Sequence, residues 1–105
     1  MPFEVWEAQI VENPLWIRLS KYTLVVSRAI REEIESDYIQ LSFDKKNKII
    51  KLKGVAADEP GAVKMDKTKI NGKGFFEKFS INTDEPTKYE ARFDEKEQGW
   101  LIKVG

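Results

Sequence analysis

The sequence predicts an α+β domain: a mainly antiparallel sheet with two short helices, laid out as a degenerate internal repeat of a strand–helix–hairpin unit. Three observations carry this expectation. Residues 23–55 read as a short β-branched strand, a short amphipathic stretch and two longer alternating segments around a polar turn. A weaker version of the same order returns over residues 68–104. Between them, Ala56-Ala57-Asp58-Glu59-Pro60-Gly61 is the clearest breaker, separating halves at about 15–55 and 62–105. At 105 residues, 41% hydrophobic and 34% charged, the chain fits a single soluble domain over residues 1–105. Each half is too small to bury its own apolar face, so the two are expected to pack on a pseudo-twofold.

The first half follows in order. Residues 2–10 alternate moderately, Phe3 and Val5 against Glu4 and Trp6, as in a first strand or an extended arm. Glu12-Asn13-Pro14 is a turn signal, since Pro cannot continue a ladder. Leu15, Ile17 and Leu19 alternate with Trp16, Arg18 and Ser20, a half-buried strand. Lys21-Tyr22 then forms a tight connection to the β-branched run over residues 23–26. Ser27 is a natural N-cap. Behind it, Ile30 and Ile34 lie one turn apart, and Arg28/Glu32 and Arg31/Glu35 pair along the wet face. About two turns are expected, ending near Ser36-Asp37 and held by docking on the sheet. Ile39, Leu41 and Phe43 then alternate with Tyr38, Gln40 and Ser42. Asp44-Lys45-Lys46-Asn47 is a polar hairpin turn. The return strand, residues 48–53, sets Ile50 and Leu52 on one face and Ile49, Lys51 and Lys53 on the other.

In the second half, residues 62–70 read as extended, with Val63 and Met65 in phase. Asn71-Gly72-Lys73-Gly74 opens a second short helix carrying Phe75, Phe76 and Phe79, and residues 82–86 form a turn. Tyr89, Ala91 and Phe93 mark an alternating strand, residues 94–99 a turn, and residues 100–104 the last strand. Residues 38–44 match 89–94, and 49–52 match 101–104, with slips of a residue or two.

Absent residue types exclude the commonest chemistries. Without Cys there is no thiolate nucleophile and no Cys-based metal site, and without His no imidazole base or ordinary zinc site. The expectation is a non-enzyme with no cofactor and no metal. Gly72-Lys73-Gly74 lacks the full phosphate-loop pattern, and Asp58-Glu59, Asp84-Glu85 and Asp94-Glu95 lie in expected turns. Trp6, Trp16 and Trp100 are expected to anchor the core. No apolar run approaches the roughly 18 residues a membrane helix needs. The N-terminus shows no basic-then-apolar leader, so no membrane partner is expected and the cytoplasm is the default location.

Net charge is zero but unevenly spread: residues 45–78 carry ten lysines against four acids. Such a middle can present a positive patch, or only a solvated Lys-rich surface. Lys73-Gly74-Phe75-Phe76-Glu77-Lys78-Phe79 could form a stacking platform for single-stranded nucleic acid, or simply a helix face buried in the core.

Val26-Ser27-Arg28-Ala29-Ile30-Arg31-Glu32-Glu33-Ile34, followed by a hairpin ending in Ile49-Ile50-Lys51-Leu52-Lys53, resembles the core signature of the AbrB/SpoVT/MazE swapped-hairpin family. The resemblance covers residues 23–54, and the internal echo is similar to the two-unit arrangement of MraZ. It implies a dimeric DNA-binding regulator or antitoxin, with Arg28 and Arg31 on the family's basic positions. The partners expected are double-stranded DNA and a second copy of the chain. Phosphate contacts are expected from Arg28, Arg31, Lys45, Lys46, Lys48, Lys51, Lys53, Lys64, Lys67, Lys69 and Lys73. The alternative is a protein-interaction or assembly module without nucleic-acid binding, working through an exposed Trp or Phe patch.

Overall fold

The computed structural model describes residues 14–104; the strand or arm expected over residues 2–10, and Trp6, lie outside them. The fold is mixed α+β. In order come β1 (Trp16–Ser20), β2 (Thr23–Val26), α1 (Arg28–Glu33), β3 (Tyr38–Asp44), β4 (Ile49–Val55), β5 (Val63–Lys64), β6 (Lys69–Asn71), α2 (Lys73–Phe79), β7 (Thr87–Glu90), β8 (Arg92–Asp94) and β9 (Gly99–Lys103). The strands form two antiparallel sheets, β6-β2-β1-β7 and β5-β3-β4-β9-β8, in place of a single one. Their inner faces share one buried cluster: Ile17, Leu24 and Ile70 from the first sheet meet Ile39, Ile50 and Leu52 from the second. Ile30 of α1 and Phe76 of α2 join it, as does Trp100, while Trp16 is only half-buried. Among the described residues no helix is long and apolar enough to cross a membrane.

Two expected segments are in fact broken, and both breaks carry the chain between sheets. Tyr89 and Phe93 read as one strand, but Tyr89 pairs with Ile17 in the first sheet and Phe93 with Trp100 in the second. The crossing is at Ala91, which is buried and donates its amide to Leu15 O at 2.9 Å. Alternation persists across such a corner, so period alone does not reveal it. Likewise the segment 62–70 turns sharply at Lys67-Thr68, where Asp66 and Lys69 exchange backbone bonds of 2.9 and 2.8 Å. β5 thereby joins β3, and β6 joins β2.

Helix α1 starts as expected: the Ser27 hydroxyl accepts the Ile30 amide at 3.3 Å. It ends at Ile34, short of Ser36-Asp37, because Arg31 folds back over the helix end. Its guanidinium donates to Ile34 O at 2.9 Å, to Lys67 O at 2.9 Å and to Asp37 Oδ1 at 2.8 Å. Arg31 thus pairs with Asp37 rather than Glu35, while Arg28 and Glu32 pair at 3.3 Å.

Helix α2 is capped by Gly72 without a side-chain bond. A Cβ at Gly72 would stand 2.5 Å from Leu24 Cδ1 and 3.2 Å from the Phe76 ring, so glycine is required by close approach. Gly72→Ala is expected to cost about 1–2 kcal/mol by overpacking. Combined with Leu24→Val, which vacates that space, the loss should be smaller than the sum of the two single losses, as a urea-unfolding cycle would read.

The two long hairpins close with one turn. Asp44 Oδ1 accepts the amides of Lys46 and Asn47 at 3.0 and 3.2 Å, and Asp94 Oδ1 those of Lys96 and Glu97 at 2.9 and 3.1 Å. Lys48 and Gln98 then take φ of 57° and 55°. At Asp44 the Asn47 side-chain amide adds a bond at 2.8 Å, and this bond above all holds the carboxyl below its ordinary pKa. A depressed carboxyl stabilises the fold above its unfolded value, about 3.9, and that stabilisation is lost as pH falls through the folded value. Asn47→Ala should raise the Asp44 pKa toward the ordinary value, as followed by carboxyl NMR titration.

Candidate nucleic-acid interface

Alternation along β3, β4, β8 and β9 turns one face of the second sheet to the core and the other outward. Directly opposed residues share a face, so the registers define the outer one. Ser42, Lys51, Leu101 and Arg92 form a row across β3, β4, β9 and β8. Gln40 and Lys53 stand in the next row, and Lys64, Tyr38 and Val55 in the one beyond. On the other side lie Asp44, Ile49 and Lys103. Lys51, Lys53, Lys64, Arg92 and Lys103 thus share one surface, with half-buried Tyr38, Ile49, Val55 and Leu101 between them. The Lys51 ammonium, its side chain 26% exposed, is held by Glu97 at 3.1 Å. The Asp44 and Asp94 carboxylates at the hairpin ends are engaged by backbone amides of their turns.

The remaining expected residues lie elsewhere. Lys45, Lys46 and Lys48 sit on the exposed β3–β4 turn, Lys45 with its ammonium 5.8 Å from the Phe79 ring centre. Lys69 lies on the outer face of the first sheet, in a row with Val25, Arg18 and Lys88. There the Lys88 ammonium sits 4.5 Å over the Trp16 ring. Lys67 occupies the tight β5–β6 turn at φ 57° and offers its carbonyl to Arg31. Lys73 opens α2 beside Tyr22. Arg28 is 91% exposed on α1, whereas Arg31 has its donors committed to the fold. The lysines therefore do not all converge, but a basic face exists. Two of its members, Arg92 and Lys103, were not among the expected residues. Alternation beside Phe93 and Ile102 could have found them, but the charge count singled out only residues 45–78.

The stacking platform expected over residues 73–79 is mostly packed away: Phe76 is buried, and Phe75 and Phe79 are half-buried against Phe43, with ring centres at 6.5 and 5.4 Å. No protein-family description, curated protein or solved structure matches this chain.

Proposed function

We propose that this chain is a small non-enzymatic DNA-binding protein of regulatory type, which engages duplex phosphates through the outer face of the β5-β3-β4-β9-β8 sheet. The observation that supports this best is the gathering there of Lys51, Lys53, Lys64, Arg92 and Lys103 in a chain of zero net charge. On this face Lys51 is paired with Glu97, while the Asp44 and Asp94 carboxylates accept from backbone amides of their own hairpin turns. Of the two arginines on the swapped-hairpin signature, Arg28 is the one available to a phosphate.

The reading includes a duplicated unit. Several correspondences support it. Val26 N donates to Thr68 O, and Gly72 N to Tyr22 O, both at 2.9 Å. Ser20 faces Thr23 as Asp66 faces Lys69. β1 joins β7 through Ile17–Tyr89 and Arg18–Lys88, as β5 joins β3 through Val63–Ile39 and Lys64–Tyr38. Like then pairs with like, β2 on β6 and β4 on β9, in the manner of a twofold. The shared turns align Ile50 with Trp100 and Leu52 with Ile102, two residues away from the match that the strand sequences alone suggest. Such a chain supplies internally the pairing that single-unit members of the resembled family make between two chains.

The test is fluorescence anisotropy of labelled random-sequence duplex DNA from about 50 to 200 mM salt. Affinity should fall linearly in log salt. Lys53→Glu with Lys64→Glu should flatten the slope by about 0.9 for each phosphate contact removed. Absence of binding at the lowest salt sinks the reading.

A further inference from the structure

Two large apolar side chains stand exposed among the described residues, Tyr22 at 40% and Phe93 at 43%. Their surroundings are complementary. Phe93 holds the same register in its hairpin, opposite Trp100, as Phe43 holds opposite Ile50. Phe43 is roofed by α2, whose last residue, Phe79, and the residue one turn earlier, Phe75, both stack on it. The same two places in α1 are Glu33 and Ala29. Phe93 therefore keeps only the Trp100 ring, 5.2 Å away, as an aromatic neighbour among the described residues. What opens beneath the end of α1 is a hollow of about 450 Å³ walled by Ile34, Gly54, Val55, Phe93 and Trp100. Glu33 and Glu35 stand on its rim, and no cation is among its lining residues.

Tyr22 has the opposite character. It is the second residue of the two-residue turn between β1 and β2, at φ 63°. An aromatic residue holds that left-handed conformation at a cost of about 1–2 kcal/mol, which glycine avoids. The strained turn presents the ring at the hairpin tip, with the ammonium groups of Lys21 and Lys73 at 5.7 and 5.4 Å from its centre. Glu77 and Asp84 line the hollow behind the turn.

We propose that Tyr22 of one copy seats in the hollow under Phe93 of another, with Lys21 and Lys73 meeting Glu33 and Glu35. The incoming ring restores over Phe93 the aromatic cover that Phe75 and Phe79 give Phe43. Charge selects this occupant. Phe3 and Trp6 of the same chain are flanked in sequence by Glu4 and Glu7, which would bring like charge to the acidic rim. Because knob and hollow are different surfaces, the contact is heterologous: a copy whose hollow is filled still presents its own tyrosine. None of the basic side chains of the sheet face lines the hollow, so the inference stands apart from DNA binding.

Sedimentation velocity without nucleic acid, from micromolar to near-millimolar protein, tests it. The full chain should gain mass with concentration and pass beyond the dimer. Tyr22→Gly and Phe93→Ser should each stay monomeric, Tyr22→Gly while raising Tm through relief of the turn, so its loss of assembly is not unfolding. Mixed together, the two variants should form a one-to-one complex and nothing larger, since one retains the hollow and the other the tyrosine. Glu33→Arg with Glu35→Arg, which leaves the aromatic packing intact, should behave as Phe93→Ser does. A monomeric wild type, a Tyr22→Gly chain that assembles normally, or a mixture that stays monomeric would each overturn the proposal.

Discussion

Leu52→Ala is expected to lower the unfolding free energy by about 3 kcal/mol, and to do so across the whole chain at once. Leu52 is fully buried at the centre of the second sheet, opposite Leu41 on one side and Trp100 on the other. Its removal leaves a cavity lined by both halves, because the core cluster runs from Ile17 through Ile50 to Ile102 without a seam. A loss of that size is a large part of the 5–15 kcal/mol that holds a domain this small together. At about 4–8 °C per kcal/mol, the shift in Tm is unmistakable. Calorimetry should show one transition moved down. Two transitions, only one of them shifted, would mean that residues 15–55 and 62–104 fold as separate units. Leu101→Ala, one residue along the neighbouring strand and on the outer face, should cost under about 1 kcal/mol, which isolates burial from strand position.

The contrast between Leu52 and Leu101 also marks what the sequence makes legible. Period-two alternation fixes which face each residue of β3, β4 and β9 takes, and Asp44 and Asp94 announce their turns through amides two and three residues on. Ser27 announces a helix start in the same local way. The division into two sheets is not local. Ala91 keeps the alternation while moving the chain from Ile17 as neighbour to Trp100, and the Lys67-Thr68 turn contains neither glycine nor proline. The candidate site shows the same boundary. Lys51 and Lys53 were readable from phase within one hairpin, whereas Arg92 and Lys103 join them only through the β4–β9 pairing, which spans about half the chain.

Arg31 lies wholly on the far side of that boundary. Spacing within the helix offered Glu35 as its partner, but the acceptors it uses include Lys67 O, which no helical period could indicate. Arg31→Ala is expected to cost about 1–3 kcal/mol, since Ile34 O and Lys67 O lose their donor and Asp37 its ion pair. Arg31→Lys should recover little of this. One ammonium on a flexible stem cannot address three acceptors in the directions that a planar guanidinium serves together. Arg28→Ala should change stability by less than about 0.5 kcal/mol, because its pair with Glu32 is an exposed one. Urea unfolding of the three variants separates the roles, and DNA anisotropy on the same samples completes the separation. Arg28→Ala should weaken binding at unchanged stability, and Arg31→Ala should weaken the fold first. If Arg31→Lys proves as stable as the parent, the three bonds do not act together, and the guanidinium becomes a second candidate for a phosphate.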